Sequence, residues 1–217
     1  MNGLHFAIAA VPLAMYLLLM GSVHLRAKPL VTTGWRDMAA LGIAVLGLVA
    51  IGPMQLFFPT YAGARFPGLV WIALIVLYGL CLLLIILNCR PKLIVYGIAE
   101  SDFYLSTLNA AKRVDPSSHW EGQILNLPGL GMQLVEESTG SRTTFQITGV
   151  GGLQSIQTWM AFEQAVVEEC RCVSGVRHPG WAGVLVGGGS VLAVISLAAI
   201  LVAPELALED LKEFILR

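Results

Sequence analysis

Arg90-Pro91-Lys92-Leu93-Ile94-Val95-Tyr96-Gly97-Ile98 opens the one long stretch of this chain with the composition of a water-soluble protein, residues 90–179. It follows directly on an apolar run that includes Leu69-Val70-Trp71-Ile72-Ala73-Leu74-Ile75-Val76-Leu77. The change between the two decides the fold. Before it the pattern is uniformly apolar, as in a helix surrounded by lipid. After it, short β-rich runs alternate with amphipathic ones.

Within residues 90–179 the order is readable. Residues 92–98 are β-branched and aromatic, a strand. Glu100-Ser101-Asp102 supplies a cap or an acidic first turn. Phe103, Leu105, Leu108 and Ala111 then keep helical spacing until Asp115-Pro116 stops it. Residues 119–127 read as a second strand, and Pro128-Gly129-Leu130-Gly131 as a turn. Residues 132–136 form a return strand, and Ser138-Thr139-Gly140-Ser141 another turn. Residues 143–150 make a fourth strand, broken by Gly151-Gly152. Residues 154–172 place Ile156, Trp159, Met160, Phe162, Val166 and Val167 against Glu163, Glu168 and Glu169, an amphipathic helix. The expectation is a small α+β domain, β-α-β-β-β-α, with helices on one sheet face and the other face wet.

The rest of the chain is an anchor. Of 217 residues, 56% are hydrophobic and 12% charged, about half the roughly 25% charged content of a globular domain. Mean hydropathy is +0.76. Residues 6–23, 38–64, 66–89 and 180–204 contain no Asp, Glu, Lys, Arg or His. Each is long enough to cross about 30 Å of hydrocarbon as a helix. The predicted spans are therefore about 6–23, 38–59, 67–88 and 180–204, the first three filling residues 1–89. The fold class is a four-span α-helical bundle with the α+β domain between spans three and four. Residues 205–217 place Leu208, Leu211 and Ile215 on one face, a short amphipathic C-terminal helix. A cleaved signal peptide would need a basic start, and residues 1–5 hold no Lys or Arg.

Orientation follows from basic residues near the span ends. Arg26, Lys28, Arg36, Arg90, Lys92, Arg171 and Arg177 fall on one side, and Arg65, Lys212 and Arg217 on the other. The richer side is expected in the cytoplasm. The protein would then sit in the inner or plasma membrane, with both termini outside and residues 90–179 in the cytoplasm.

Candidate sites are few. Gly183 and Gly187 form a Gly-x-x-x-Gly pair in span four, expected to pack against the chain's own spans, or alternatively against a second copy. Gln55 is the strongly polar side chain of span two, expected to hydrogen-bond another helix. Cys89, Cys170, Cys172 and His178 should lie at the inner membrane surface, and four N/S groups could hold zinc. Against that, Cys-x-Cys on a helix points its two thiols nearly opposite ways, and inert thiols are the default. Thr148-Gly149-Val150-Gly151-Gly152 partly matches a dinucleotide fingerprint, but Gln154 stands where its third glycine belongs. His119-Trp120-Glu121 is a polar cluster of surface type.

No cofactor or metal is expected, and a net charge of -1 gives no field for nucleic acid. Spans without ionisable groups argue against an ion-coupled carrier. The expected function is a non-enzymatic, membrane-anchored interaction or sensing module that acts on a protein partner through its cytoplasmic domain. The alternative is a membrane enzyme or accessory subunit of a transport complex, with its site at the inner surface.

Overall fold

Four helices take the four apolar stretches, because a segment without a polar stripe has nothing to gain from any other backbone hydrogen-bonding scheme away from water. They are α1, Gly3–Leu25; α2, Gly34–Val49; α3, Pro67–Asn88; and α6, Pro179–Leu201. The computed structural model describes residues 3–59, 65–137, 140, 143–150, 156–177 and 179–202. The predicted C-terminal helix lies outside the described residues. All four helices are long and apolar enough to cross a membrane, α2 together with the π-helical turn Ala50–Met54 that extends it. Pro53 lies in that turn. A wider turn is a common accommodation where proline removes a backbone donor.

The chain divides into two compact units. The first comprises residues 1–21, 38–88 and 183–217. Here Tyr78 Oη donates to the Gly42 carbonyl at 2.7 Å. A Cβ on Gly47 would overlap the Ile8 carbonyl oxygen, so only glycine permits that approach of α1 and α2. The predicted role of Gln55 is met: its amide donates to His5 Nε2 at 3.1 Å. His5 is itself a departure from expectation. The charge-free run starts at residue 6, but α1 begins at Gly3 and takes in His5. An imidazole with an amide partner fits an apolar helix end, which a rule excluding histidine from spans does not allow for.

The second unit comprises residues 22–37 and 89–182. Its sheet has six strands in the order β1-β2-β6-β5-β4-β3, all neighbours antiparallel. The strands are β1, Leu30–Thr33; β2, Lys92–Tyr96; β3, His119–Glu121; β4, Ile124–Leu127; β5, Met132–Glu137; and β6, Thr144–Val150. Two helices complete the unit, α4, Glu100–Val114, and α5, Ile156–Arg171.

Two strands exceed the predicted four, for different reasons. β1 comes from the connection between α1 and α2, where Pro29 is followed by Leu30-Val31-Thr32-Thr33. It pairs with β2, Leu30 opposite Tyr96 and Thr33 opposite Leu93. The second addition splits residues 119–127. Gly122, at φ 61°, turns the chain with Gln123 into a two-residue hairpin loop, a conformation in which glycine carries no Cβ penalty.

Strand alternation sorts the sheet into two faces. Leu93, Val95, Leu125, Leu127, Leu134 and Ile147 are fully buried on one face. They pack with Phe103, Ala110 and Ala111 of α4 and with Phe162, Val166 and Cys170 of α5. Phe103 stacks on Phe145 with ring centroids 4.5 Å apart. One carboxylate joins this face. Glu136, 9% exposed, accepts a hydrogen bond from Tyr104 Oη of α4. That bond pushes the Tyr104 phenol up to about 12, burial adding to it.

Candidate functional site

The other sheet face carries the candidate site. Register places its residues in cross-strand rows. His119 of β3 stands opposite Asn126 of β4, Asn126 opposite Gln133 of β5, and Gln133 opposite Val150 of β6. The next row runs Glu121, Ile124, Val135, Thr148 and Lys92. A third joins Glu137, Gln146, Ile94 and Thr32. Amides, hydroxyls and charges dominate all three, whereas the opposite face is almost wholly apolar.

At the β3 end these groups are already arranged by hydrogen bonds. His119 Nδ1 lies 3.1 Å from the Ser117 carbonyl oxygen, and Nε2 3.1 Å from Glu121 Oε1. Asn126 Nδ2 donates to Glu121 Oε2 at 2.8 Å. Both ring nitrogens face acceptors, so the imidazolium satisfies both and the neutral ring only one. The Ser117 carbonyl, and then Glu121, accordingly raise the His119 pKa above its ordinary 6.5. A cleft of about 490 Å³ follows the row, lined by His119, Glu121, Asn126, Pro128, Gln133 and Val150 among others. Asn126 Oδ1 and Thr148 Oγ1, both on this face, are buried without a hydrogen-bond partner among the described residues. Unpaired buried acceptors are costly and mark places where a ligand's donor would be favoured.

Asp115 holds the cleft's rim. The carboxylate accepts from Ser117 Oγ at 2.6 Å, from the Ser117 amide at 3.0 Å and from the Gly129 amide at 2.7 Å. The Ser117 hydroxyl, and then the two amides, hold its pKa below the usual carboxylate range, against the opposing effect of burial. One side chain thereby ties the end of α4 to the β4–β5 connection. What the arrangement offers chemically is recognition: fixed acceptors, one imidazole and two primary amides on a rigid sheet.

The residues singled out from sequence are distributed differently. Cys170 is buried in the core, where burial, and then the Glu169 charge, pushes its thiol up to about 12. Cys172 is exposed, its thiol 3.8 Å from the Glu168 carbonyl oxygen. Cys89 is half-buried, and His178 lies outside the described residues. Among the described residues no three His, Cys, Asp or Glu side chains form a metal-binding group. The two thiols of α5's end point apart, as helical spacing of two requires. Thr148-Gly149-Val150 are ladder residues of β6, the Gly149 amide donating to the Pro91 carbonyl at 3.1 Å. Residues 151–155 of the glycine turn lie outside the described residues.

Gly183 and Gly187 have open space where a Cβ would stand. The intrachain helix contact expected there falls instead at Gly189, whose Cβ would meet Leu18 Cγ at 3.0 Å and the Ala14 carbonyl oxygen at 3.1 Å. Gly183 and Gly187 lie about 120° and 160° from Gly189 around the helix, and small residues on both faces left the sequence ambiguous. The Asn126–Gln133 row had its own signal, polar residues alternating with Leu125, Leu127 and Leu134. Reading residues 119–127 as one strand concealed which strands were neighbours.

Compared with protein-family models, curated proteins and solved structures, the chain matches none.

Proposed function

We propose that this chain is a multi-pass membrane protein that displays its second unit in the cytoplasm as a non-enzymatic binding module. The polar sheet face would take a protein partner. The observation that carries the reading is the division of the sheet itself: one face is filled by α4 and α5, while the other presents ordered rows of amides and charges. Such a face suits hydrogen-bonded recognition, and interfaces outside obligate complexes are commonly this polar. Chain order supports the anchoring. α1 leads into the second unit, α2 leaves it, α3 returns and α6 leaves again, so both soluble segments belong on one side of a bilayer. The basic excess on that side supports the cytoplasm, and both termini then lie outside in the inner or plasma membrane.

The test is photo-cross-linking in cells with the spans retained. A cross-linking amino acid at Gln133 or Gln146, on the polar face, should trap one discrete partner. The same residue at Leu105 or Met160, exposed on the helices, should not. Trapping only from the helix positions would sink the reading.

A further inference from the structure

We propose that the second unit carries a binding surface for anionic phospholipid headgroups, built by three chain segments that the fold brings together. This rests on the membrane reading above and goes beyond it. The segments are residues 22–37, 89–92 and 172–182. They contribute Arg26, Lys28, Arg36, Arg90, Lys92 and Arg177, and a single carboxylate, Asp37.

Backbone contacts make the convergence. The Gly175 amide donates to the Ala27 carbonyl at 2.8 Å, which sets Arg177 close in sequence to a contact between Arg26 and Lys28. The Val176 amide donates to the Gly97 carbonyl at 2.9 Å, tying the same segment to the end of β2. On the other flank, Thr33 pairs with Leu93, and the stem of Lys92 occupies the space beside Gly34. That places Arg36 and Arg90 on neighbouring segments. β1 is therefore the hub, joined to β2 by its ladder and followed back to residues 175–177 through Ala27.

The charges are available. None of the six cations takes part in an ion pair or side-chain hydrogen bond among the described residues. Among the described residues Arg113, outside these segments, does pair, with Glu168 and Glu169. Asp37 is engaged by Tyr96 Oη at 3.1 Å. Two tryptophans lie in the same segments, Trp35 54% and Trp181 68% exposed, with the Arg36 guanidinium 5.3 Å from the Trp35 ring centre. Unpaired cations beside exposed indoles, next in sequence to four membrane-length helices, match the chemistry of a headgroup layer. An oligoanion in solution would have no use for the tryptophans.

The test uses the full chain in nanodiscs of equal phosphatidylglycerol and phosphatidylcholine, and in phosphatidylcholine alone. After gentle detergent extraction, co-purifying lipid is counted. The wild-type protein should enrich phosphatidylglycerol about fivefold per engaged cation, so well above tenfold. Enrichment should fall as salt rises, and free inorganic phosphate at equal charge should not compete it away. Lys28→Gln with Arg177→Gln should bring the ratio close to input, and Lys112→Gln with Arg113→Gln should leave it high. If the paired variant fails to fold, the salt and phosphate arms on the wild type decide alone. Input-ratio lipid on the wild type, enrichment that survives the Lys28/Arg177 change, or displacement by free phosphate overturns the proposal. Failure to enter phosphatidylcholine discs overturns the membrane reading itself.

Discussion

Removing one hydroxyl should separate the packed side of the sheet from a merely compact one. Tyr104→Phe deletes the donor to Glu136, a carboxylate only 9% exposed on the core face of β5. The acceptor stays buried without its partner, and little water can replace it. Stranding a buried charged acceptor costs about 2 kcal/mol. For a chain of 217 residues that lowers the melting temperature by about 4–8 °C. Glu136→Leu removes the charge along with the need for the donor, and half-exposed Tyr104 can then turn to water, so its cost should be under about 1 kcal/mol. The double variant should match Glu136→Leu, a coupling of about 2 kcal/mol in a double-mutant cycle. The assay is thermal unfolding of the full chain in detergent, followed by tryptophan emission. Trp120 donates to the Tyr104 carbonyl and packs edge-on to its ring, so it reports locally. pH gives a second reading. The phenol titrates near 12 in the folded protein against 10 ordinarily. Its stabilisation is complete below pH 10 and is lost as pH rises towards 12. The gap between wild type and Tyr104→Phe should stay constant from neutrality to about pH 9 and close above 10. Additive effects of the two substitutions, or a Tyr104→Phe protein as stable as wild type, would refute the reasoning.

Three further outcomes follow from the geometry. Gly189→Leu should destabilise the first unit by about 1–3 kcal/mol, because its side chain meets Leu18 and the Ala14 carbonyl; Gly187→Leu, facing open space, should leave monomer stability unchanged, and equal losses in a melting assay would contradict the helix orientation. With native cysteines replaced, Thr32→Cys and Ile94→Cys, partners in the β1–β2 register, should oxidise to a disulfide. Thr32→Cys with Lys92→Cys, out of register, should not, as a gel shift will report. The His119 ring should titrate above 6.5 by NMR, so the stability it contributes is complete below about pH 6.5 and fades as pH rises through the higher folded value; Glu121→Gln should lower that titration point.

Legibility differed by length scale. Long apolar runs announced the four helices, each long and apolar enough to cross a membrane. α4 and α5 were equally plain, through helical periodicity and the Asp115-Pro116 stop. β1 was not, since four residues in a connection read for its charges give no periodicity, and the partner that makes them a strand lies about sixty positions away. The hairpin at Gly122 was visible as a residue but not as a turn, because only a positive φ distinguishes a glycine that bends from one that continues a strand. The site followed the same rule. His119 and Glu121 were adjacent enough to notice. Asn126 and Gln133 became their neighbours only through register, a property of pairing rather than of either strand alone.

The most direct measurement of the account is sided thiol labelling in intact cells. Single-cysteine reporters stand at Lys28→Cys in the first soluble segment, at native exposed Cys172 in the second, and at Arg65→Cys between α2 and α3; buried Cys170 cannot serve. A membrane-impermeant maleimide added outside should label the Arg65→Cys protein alone, and Lys28→Cys and Cys172 should react only after the membrane is opened. Labelling of Lys28→Cys and Cys172 from opposite sides would contradict a single sheet unit shared by both segments. Labelling of both from outside would reverse the orientation.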